Sequence, residues 1–575
     1  MKLRHALPAL VPLVVALTCA FPASAEKSRA APPRDVEFGE SRDVSPYGLF
    51  LAGHQAMNDG ENDAASQYFA RAERAGLDGA YFRERAFIAA LLSGDIARAA
   101  ALSPDSPETR VVVQRLAALS QVVAGLGEGD GKAAARVLAS GQVGAPHRPA
   151  AALLAPWAAA AAGDKAGALA RPELRGDRLV EVFGQLGQAQ LFERARRYDE
   201  AETDYMALMG LGDAGVLFAV DYGAFLERRG RWSDAQAVYD KALAKMPRDA
   251  SLLAGRARTV ARRGAPPLPT LREGAARALT APAAQMIGEK AHDMAVAYLQ
   301  MILYLDPARD EARVMMGDAL SAMKDIDAAR AAYAAVKPGS TQYASARAKL
   351  AWTYQAGKDG EAALRLAREG FDAAPDDDDA AVTYADLLRA NERYAESATV
   401  LDAVIARAGD GADWRLLYMR GVARERAGRW SEAEADLRAA LSAQPDEPEL
   451  LNYLGYSWID RGERLGEAMD MVRRAVAANP RSGAMVDSLG WAYYRIGDYR
   501  NAVEKLEEAV LLEPADPEIN NHLGDAYWRV GREVEARFQW RRVLSLEPPE
   551  SIRKDAEAKL ASGLAPVKPA AVASN

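Results

Sequence analysis

The stretch VDSLGWAYYRIGDYRNAVEKLEEAVLLEP, from Val486 to Pro514, shows how this chain is built. Gly490 stands where a first helix would meet a second, because a side chain there would force the two backbones apart. On the second helix Ala502 does the same, while the ring of Tyr499 can fill the wedge at its start. Pro514 ends the second helix, since proline cannot continue it. The stretch therefore predicts an antiparallel helical hairpin, whose members we call helix A and helix B.

The hairpin pattern returns along most of the 575-residue chain at a spacing of about 34 residues. In the other copies the position of Gly490 is taken by Gly53, Phe87, Gln121, Ala155, Ala189, Gly223, Ala257, Gly317, Ala351, Ala385, Gly421, Gly455 and Gly524. The position of Tyr499 is taken in several copies by Tyr198, Trp232, Tyr394 and Trp430. A period of 34 residues is that of tetratricopeptide repeats, so the chain resembles this family. The resemblance implies an all-α fold, a superhelical solenoid of antiparallel helix pairs that binds other proteins or peptides.

The spacing breaks once, at residues 265–282, where Pro266, Pro267 and Pro269 interrupt the start of a helix B. We interpret this segment as a Pro-rich junction between a degenerate N-terminal array, residues 45–264, and a C-terminal array, residues 283–560. The alternative is one distorted unit with a normal stack on each side. Residues 26–44, rich in charge and proline, and residues 561–575, without a periodic apolar face, are predicted to be disordered.

The N-terminus has the pattern of an export signal. Lys2 and Arg4 precede an apolar stretch at residues 6–21, and Ala23-Ser24-Ala25 follows as a small-x-small cleavage sequence. The apolar stretch is short for a bilayer span. We therefore predict a signal peptide at residues 1–25 and a periplasmic protein, whose mature net charge would be −8 − 2 = −10. The alternative is an uncleaved signal anchor, and association with the membrane is expected only in that case.

Cys19, the one cysteine, lies inside this segment. Acylation of Cys19 would require a lipobox, and the preceding Ala16-Leu17-Thr18 is a poor match. After cleavage the mature chain would contain no cysteine, hence no disulfide, thiolate metal site or cysteine nucleophile.

The composition argues against several classes of function. The 72 basic and 80 acidic residues are mixed along the chain, so it lacks the basic surface that nucleic-acid binding requires. Its five histidines make no metal-binding pair, and no nucleophile elbow, phosphate loop or dinucleotide fingerprint follows a strand. The acidic run Asp376–Asp379 is interpreted as a solvated helix cap. We therefore predict no enzymatic activity, no metal, no cofactor and no small-molecule substrate.

The C-terminal half suggests a narrower resemblance. The segments that carry it are Met294–Pro307, Leu451–Gly462, Val486–Gly497 and Ile519–Leu544. Over roughly residues 285–550 the chain resembles envelope-associated tetratricopeptide proteins of proteobacteria. These include lipoprotein adaptors that load substrates onto a carboxy-terminal processing protease. That likeness implies a periplasmic adaptor, although this chain departs from the family in lacking a good lipobox.

The residues of helix A that face neither a neighbouring unit nor helix B are the candidate binding residues, because helix A lines the concave groove in this repeat class. In the last units these residues are Tyr418, Asn452, Tyr456, Asp487, Trp491, Tyr494, Arg495, Asn521, Trp528 and Arg529. Aromatic rings supply contact area, whereas amides and arginines pair with a peptide backbone or carboxylate. We predict that a protein partner docks here, between about residues 417 and 544. The alternative is that Trp491 and Trp528 are packing residues.

Three classes of function remain. The leading one is a periplasmic scaffold or adaptor that presents substrates to a protease or to envelope-assembly machinery. The second is a membrane-tethered assembly factor, and the third is the repeat domain of an enzyme with an unrecognised active site.

Overall fold

A computed structural model describes residues 45–172, 178–247 and 249–565. The predicted signal peptide at residues 1–25, the predicted linker at 26–44 and most of the predicted disordered tail lie outside the described residues. The first helices are α1 (Pro46–Asn58), α2 (Asn62–Arg74), α3 (Ala80–Leu92), α4 (Ile96–Leu102), α5 (Val111–Glu128), α6 (Gly131–Ala139), α7 (Arg148–Ala162), α8 (Lys165–Leu169), α9 (Arg178–Arg194), α10 (Tyr198–Met209), α11 (Ala219–Arg228), α12 (Trp232–Leu243), α13 (Ala250–Ala261), α14 (Leu271–Ala278), α15 (Thr280–Gly288) and α16 (His292–Leu305). They are followed by α17 (Asp310–Ala322), α18 (Ile326–Ala334), α19 (Tyr343–Ala356), α20 (Gly360–Ala373), α21 (Asp378–Ala390), α22 (Tyr394–Ala408), α23 (Trp414–Arg426), α24 (Trp430–Ala443), α25 (Pro448–Arg461), α26 (Leu465–Ala478), α27 (Gly483–Arg495), α28 (Tyr499–Leu512), α29 (Pro517–Arg529), α30 (Glu533–Ser545) and α31 (Glu550–Ser562).

The all-α prediction is confirmed: the described ranges contain helices and turns and no strand. Each helix packs on the next in sequence along most of the chain, as in a solenoid of helical hairpins. Every residue identified in the sequence at the Gly490 position falls in an odd-numbered helix, so these helices are the A helices. A Cβ on Gly490 would lie 2.7 Å from Cγ of Leu506, and one on Gly524 would lie 2.5 Å from Nε1 of Trp540. These glycines therefore let helix A approach helix B.

The turns between the two helices of a hairpin follow from local sequence. Gly497 has a φ of 86°, a conformation that favours glycine, and ends α27. The side chain of Asp498 then accepts a hydrogen bond from the backbone N–H of Asn501 and caps α28. The aromatic residues predicted to open helix B are indeed the first residues of α10, α12, α22, α24 and α28.

The register break at residues 265–282 corresponds to a change in packing partners. Helix α13 packs on α11 and α12, whereas α14 packs on α7, α9 and α16. Helices α9 to α13 enclose a separate apolar core, which contains Tyr205, Phe225 and Tyr239. After α13 the chain returns to the N-terminal helices, because α14 packs on α7.

Helix α16 joins the two halves of the molecule. It packs on α3, α4 and α5, and its apolar side chains belong to the same core as those of the first helices. The side chain of Gln300 donates a hydrogen bond to the backbone oxygen of Leu92 over 2.9 Å. His147 Nδ1 and the hydroxyl of Tyr298 are 2.9 Å apart, and both residues are buried. The N-terminal helices are therefore closed by a helix that lies far away in the sequence.

Among the described residues, the helices are too short or too polar for any of them to cross a membrane.

Candidate protein-binding groove

The A helices α23, α25, α27 and α29 form the surface that carries the candidate residues, which we call the C-terminal groove. Neighbouring A helices contact each other, since α25 packs on α27 and α27 packs on α29. The hydroxyl of Tyr456 on α25 donates a hydrogen bond to Glu518 at the start of α29, over 3.0 Å. This bond passes α27, the helix between them, so the A helices lie on the inner side of the curve.

An aromatic stack occupies the middle of this groove. The ring of Trp491 lies between Tyr494, whose centroid is 4.5 Å away, and His522, whose centroid is 4.0 Å away. The interplanar angles are 6° and 14°, so both faces of the indole are covered. Because both ring faces are covered and its N–H is buried, Trp491 packs as part of the groove and does not present a free ring.

His522, one member of the stack, forms a buried ion pair with Asp487. His522 Nδ1 lies 3.0 Å from both carboxylate oxygens of Asp487, and both side chains are buried. Burial alone would lower the pKa of His522, but the charge of Asp487 and the hydrogen bond outweigh it and raise the pKa above its usual value. Asp487 thus acts inside the groove as the partner of His522, not as an exposed ligand.

The two candidate arginines connect neighbouring units. Arg495 donates to the backbone oxygen of Asp460 over 2.6 Å and to its carboxylate over 3.3 Å. Arg529 donates to the hydroxyl of Tyr494 over 3.1 Å and to the backbone oxygen of Ala565 over 2.7 Å. Each guanidinium therefore holds two segments together, which reduces its availability for a ligand carboxylate.

Helix α31 fills the groove at its C-terminal end. Asn521 donates to Asp555 over 2.9 Å and accepts from Lys559 over 3.2 Å. Lys559 is buried and also donates to Asp525 over 2.8 Å. Trp528 packs against the fully buried ring of Trp540, with 5.5 Å between ring centroids. The last part of the groove is thus bonded to α31.

At the other end of the groove, the rings of Tyr418 and Tyr453 meet edge to face with 5.7 Å between centroids. Burial raises the pKa of Tyr456, and the nearby carboxylates of Glu518 and Asp487 raise it further. Tyr456 therefore stays a neutral hydrogen-bond donor at any physiological pH.

Two buried polar atoms of the candidate residues have no partner among the described residues. The side-chain oxygen of Asn452 and the indole N–H of Trp491 are both buried and unpaired. A buried polar atom without a partner is unfavourable by about 1–3 kcal/mol, and most such atoms in proteins are paired. These two atoms are one hydrogen-bond acceptor and one hydrogen-bond donor.

The structure places the ten candidate residues on the A helices α23, α25, α27 and α29. Asp487 and Asn521 are buried, and both arginines are bonded to neighbouring units. Sequence reasoning missed His522, Glu518, Asp555 and Lys559 as parts of the C-terminal groove. The 34-residue register contained a signal for two of them, because Asp555 and Lys559 follow Asn521 and Asp525 by 34 residues each. The described residues contain no group of side chains arranged to hold a metal ion.

Comparison with known proteins identifies the repeats. A family model described as "TPR repeat" matches residues 490–531, and one described as "Tetratricopeptide repeat" matches residues 418–482. A curated relative, the TPR repeat-containing protein PA4667 of Pseudomonas aeruginosa, is 30% identical over 203 residues. The match covers 35% of this chain and 33% of the relative, so the chain spans about a third of the relative's length.

The chain is also similar to solved structures. The APC/C hetero-tetramer Cut9–Hcn1 is 15% identical, with coverage of 90% and 96% of the two chains and a TM-score of 0.38. Yeast Tom70 is 14% identical, with coverage of 90% and 95% and a TM-score of 0.33. A tetratricopeptide repeat protein from Parabacteroides merdae is 12% identical, with coverage of 44% and 98% and a TM-score of 0.40.

The segments 418–482 and 490–531 match tetratricopeptide repeats, and the described residues form a solenoid of helical hairpins. Repeats of this class typically bind other proteins or peptides.

Proposed function

We propose that this chain is an exported adaptor that holds an extended segment of another protein in the C-terminal groove. The observation that carries the proposal is a pair of buried, unpaired atoms, the side-chain oxygen of Asn452 and the indole N–H of Trp491. A ligand would reach them through a small movement of the side chains that cover them. Elsewhere the groove is bonded across its units, as between Arg495 and Asp460. A ligand backbone supplies an N–H and a carbonyl oxygen, which is what these two atoms lack.

The bracing of the groove supports binding in a second way. The stack of Tyr494, Trp491 and His522 and the Tyr456–Glu518 bond fix the side chains before a ligand arrives. A surface that is already ordered loses less conformational entropy on binding, so more of the contact energy appears as affinity.

The place of action is part of the proposal. Residues 1–25 have the pattern of an export signal, and the C-terminal half resembles envelope adaptors that deliver substrates to a protease. The proposed partner is therefore a periplasmic protein, a protease or an envelope-assembly component. The intact mass of the protein purified from periplasm tests this: a chain that begins at Glu26 supports it, and retention of residues 1–25 supports the membrane-tethered alternative.

Removal of a single N–H provides the test of the groove. Trp491→Phe keeps a large ring in the stack and deletes the unpaired donor. Trp458→Phe is a matched control, because the indole N–H of Trp458 is also buried and unpaired but its ring lies in the core of α25 to α27. Partners captured from periplasmic extract by the wild-type protein should be depleted with Trp491→Phe and retained with Trp458→Phe. Equal capture by both variants would contradict the groove assignment.

A further inference from the structure

The N-terminal helices carry an open apolar surface that the C-terminal groove does not have. Tyr81, Arg85, Ile88 and Leu92 follow each other on α3 at intervals of four, three and four residues, a set that we call the α3 seam. Tyr81 is 57% exposed, and Arg85, Ile88 and Leu92 are half-buried. This spacing puts the four side chains on one stripe of the helix, the arrangement by which one helix packs along another.

A recess continues the seam toward the centre of the molecule. It has a volume of about 660 Å³ and is lined mainly by apolar side chains, among them Met57, Leu91, Val112 and Met294. At its edge Val111, the first residue of α5, is 56% exposed. Exposed valines at the start of a helix, beside an apolar recess of this size, are typical of a docking surface.

Helix α16 shows that the surface formed by α3, α4 and α5 can pack against an apolar helix. It is a largely apolar helix that packs on α3, α4 and α5, and it ends the seam where Gln300 bonds to the backbone oxygen of Leu92. The seam is thus continuous with a surface that already holds a helix. From Tyr81 to Leu92 it is about 16 Å long, which matches about three turns of a second helix.

The charges on and around the α3 seam favour a ligand helix that carries acidic residues. Within the described residues Arg85 forms no ion pair; its guanidinium lies 5.2 Å from the Tyr81 ring centroid, and its Nε is buried without a partner. The neighbouring Arg110 is already bonded to the buried carboxylate of Glu84. The one carboxylate that lines the recess, Asp293, is exposed and lies on α16. A carboxylate on the ligand would therefore meet the charge of Arg85, which no carboxylate of the described residues neutralises through an ion pair.

We infer that the α3 seam docks an amphipathic helix of a partner protein, with its apolar stripe against Tyr81, Ile88 and Leu92 and an acidic residue facing Arg85. This surface is separate from the C-terminal groove and does not depend on the function proposed for that groove. It gives the chain a second binding surface, selective for acidic helices.

The test uses the full chain and a defined probe. The probe is a fluorescein-labelled peptide of about 14 residues, with leucines in a heptad stripe and glutamates elsewhere, a length of about four helical turns. A twin peptide carries lysines in place of the glutamates. Fluorescence anisotropy should show that the wild-type protein binds the glutamate peptide at least tenfold more tightly than the lysine peptide.

Three variants locate the site. Tyr81→Asp should weaken binding of the glutamate peptide by at least tenfold. Leu511→Asp, at an 84% exposed position on α28, should leave binding unchanged. Arg85→Glu should reverse the preference, so that the lysine peptide binds more tightly. Circular dichroism melting of each variant confirms that the fold is intact.

Several results would overturn the inference. They are failure of the glutamate peptide to bind the wild-type protein, equal binding by Tyr81→Asp, or an unchanged preference in Arg85→Glu. A concentration-dependent dimer that Tyr81→Asp abolishes would assign the seam to a second copy of the chain. Cosedimentation with phosphatidylcholine vesicles that Tyr81→Asp abolishes would assign it to lipid.

Discussion

The C-terminal groove and the α3 seam are both made by A helices, yet they differ in how their side chains are bonded. In the groove, residues at equivalent positions of successive units bond to each other, as Lys559 does with Asp525 and Arg495 with Asp460. On the seam, Tyr81 is exposed and Arg85 has an unpaired Nε. One surface is ordered before any ligand binds, and the other leaves apolar area and charge open.

This difference has a physical origin in the repeat register. Where successive units keep the 34-residue period, complementary residues recur at bonding distance and connect the units. In the degenerate units that regularity is lost, and stability comes instead from α16, which packs on α3 to α5 across about 200 residues of sequence. The groove is therefore stabilised by contacts between successive units, and the N-terminal helices also by long-range packing against α14 and α16.

The largest expected effect tests the local stabilisation of the groove. Trp540 is fully buried on α30, packs on Trp528 and donates to Asp525 over 3.0 Å. Trp540→Ala should destabilise the last repeats by about 3–5 kcal/mol, because it removes a large core side chain. Phe538→Ala, at an exposed position of the same helix, is the control and should change stability little. Urea unfolding followed by circular dichroism measures both, and similar losses would contradict the packing described.

The second prediction concerns the contact that closes the N-terminal helices. Burial lowers the pKa of His147 to about 4. Unfolding restores a pKa near 6.5, so the unfolded chain binds a proton that the folded one does not, and stability is lost as the pH falls from about 6.5 toward 4. Between pH 7 and pH 5 the loss should be about 2 kcal/mol.

Hydrogen exchange of backbone amides in α16 measures this loss, after correction for the intrinsic pH dependence of exchange. His147→Gln retains a group that can bond to the hydroxyl of Tyr298 but cannot titrate, so its exchange should lose the extra pH dependence. If α16 in His147→Gln still opened more readily at pH 5, another group would be responsible.

The third prediction has the opposite sign and concerns the groove. The pKa of His522 is raised in the folded state, so its pairing with Asp487 stabilises the fold fully below pH 6.5 and is lost as the pH rises through the folded-state pKa. A charged hydrogen bond becomes a neutral one, a difference of about 1 kcal/mol. Opening of α29 by hydrogen exchange should increase between pH 6 and pH 9. The same increase in Asp487→Asn would contradict the role of the ion pair.

The smallest expected effect tests the bond that crosses the groove. Tyr456→Phe removes the hydroxyl that donates to Glu518. This bond is exposed, so its loss should reduce stability by about 0.5–1 kcal/mol and affect mainly the ordering of the groove. Glu518→Gln retains an acceptor and should change stability less. A larger loss from Glu518→Gln than from Tyr456→Phe would show that Glu518 acts mainly through another contact.

Much of this fold could be predicted from the sequence because the information is local and repeated. The small residues at positions such as Gly490 and Gly524, and aromatic residues such as Tyr499, fix where each A helix meets its B helix. The closure by α16 could not be predicted, since a repeat register specifies neighbours in the stack and not a contact such as Gln300 with Leu92.

The sequence predicted which residues form the candidate site, but not which of them are buried or hydrogen-bonded to a neighbouring unit. The sequence placed Trp491, Arg495 and Asn521 among the candidate binding residues, whereas their bonding depends on which residue the next unit has at the same position. Asn521 is buried because Asp555 and Lys559 follow it by 34 and 38 residues. A candidate residue must therefore be examined together with the residue at the same position of the next unit before it is taken as free to bind.

The measurement that tests the central proposal most directly is a double-mutant cycle on the two unpaired atoms of the groove. Calorimetric titration of the captured partner segment against wild type, Asn452→Ala, Trp491→Phe and the double variant gives the coupling between the two positions. Each single change should weaken binding about three- to tenfold, the value of one hydrogen bond, while Trp458→Phe leaves it unchanged. Binding that is the same in Trp491→Phe and in Asn452→Ala as in wild type would contradict the proposal that this groove holds the partner.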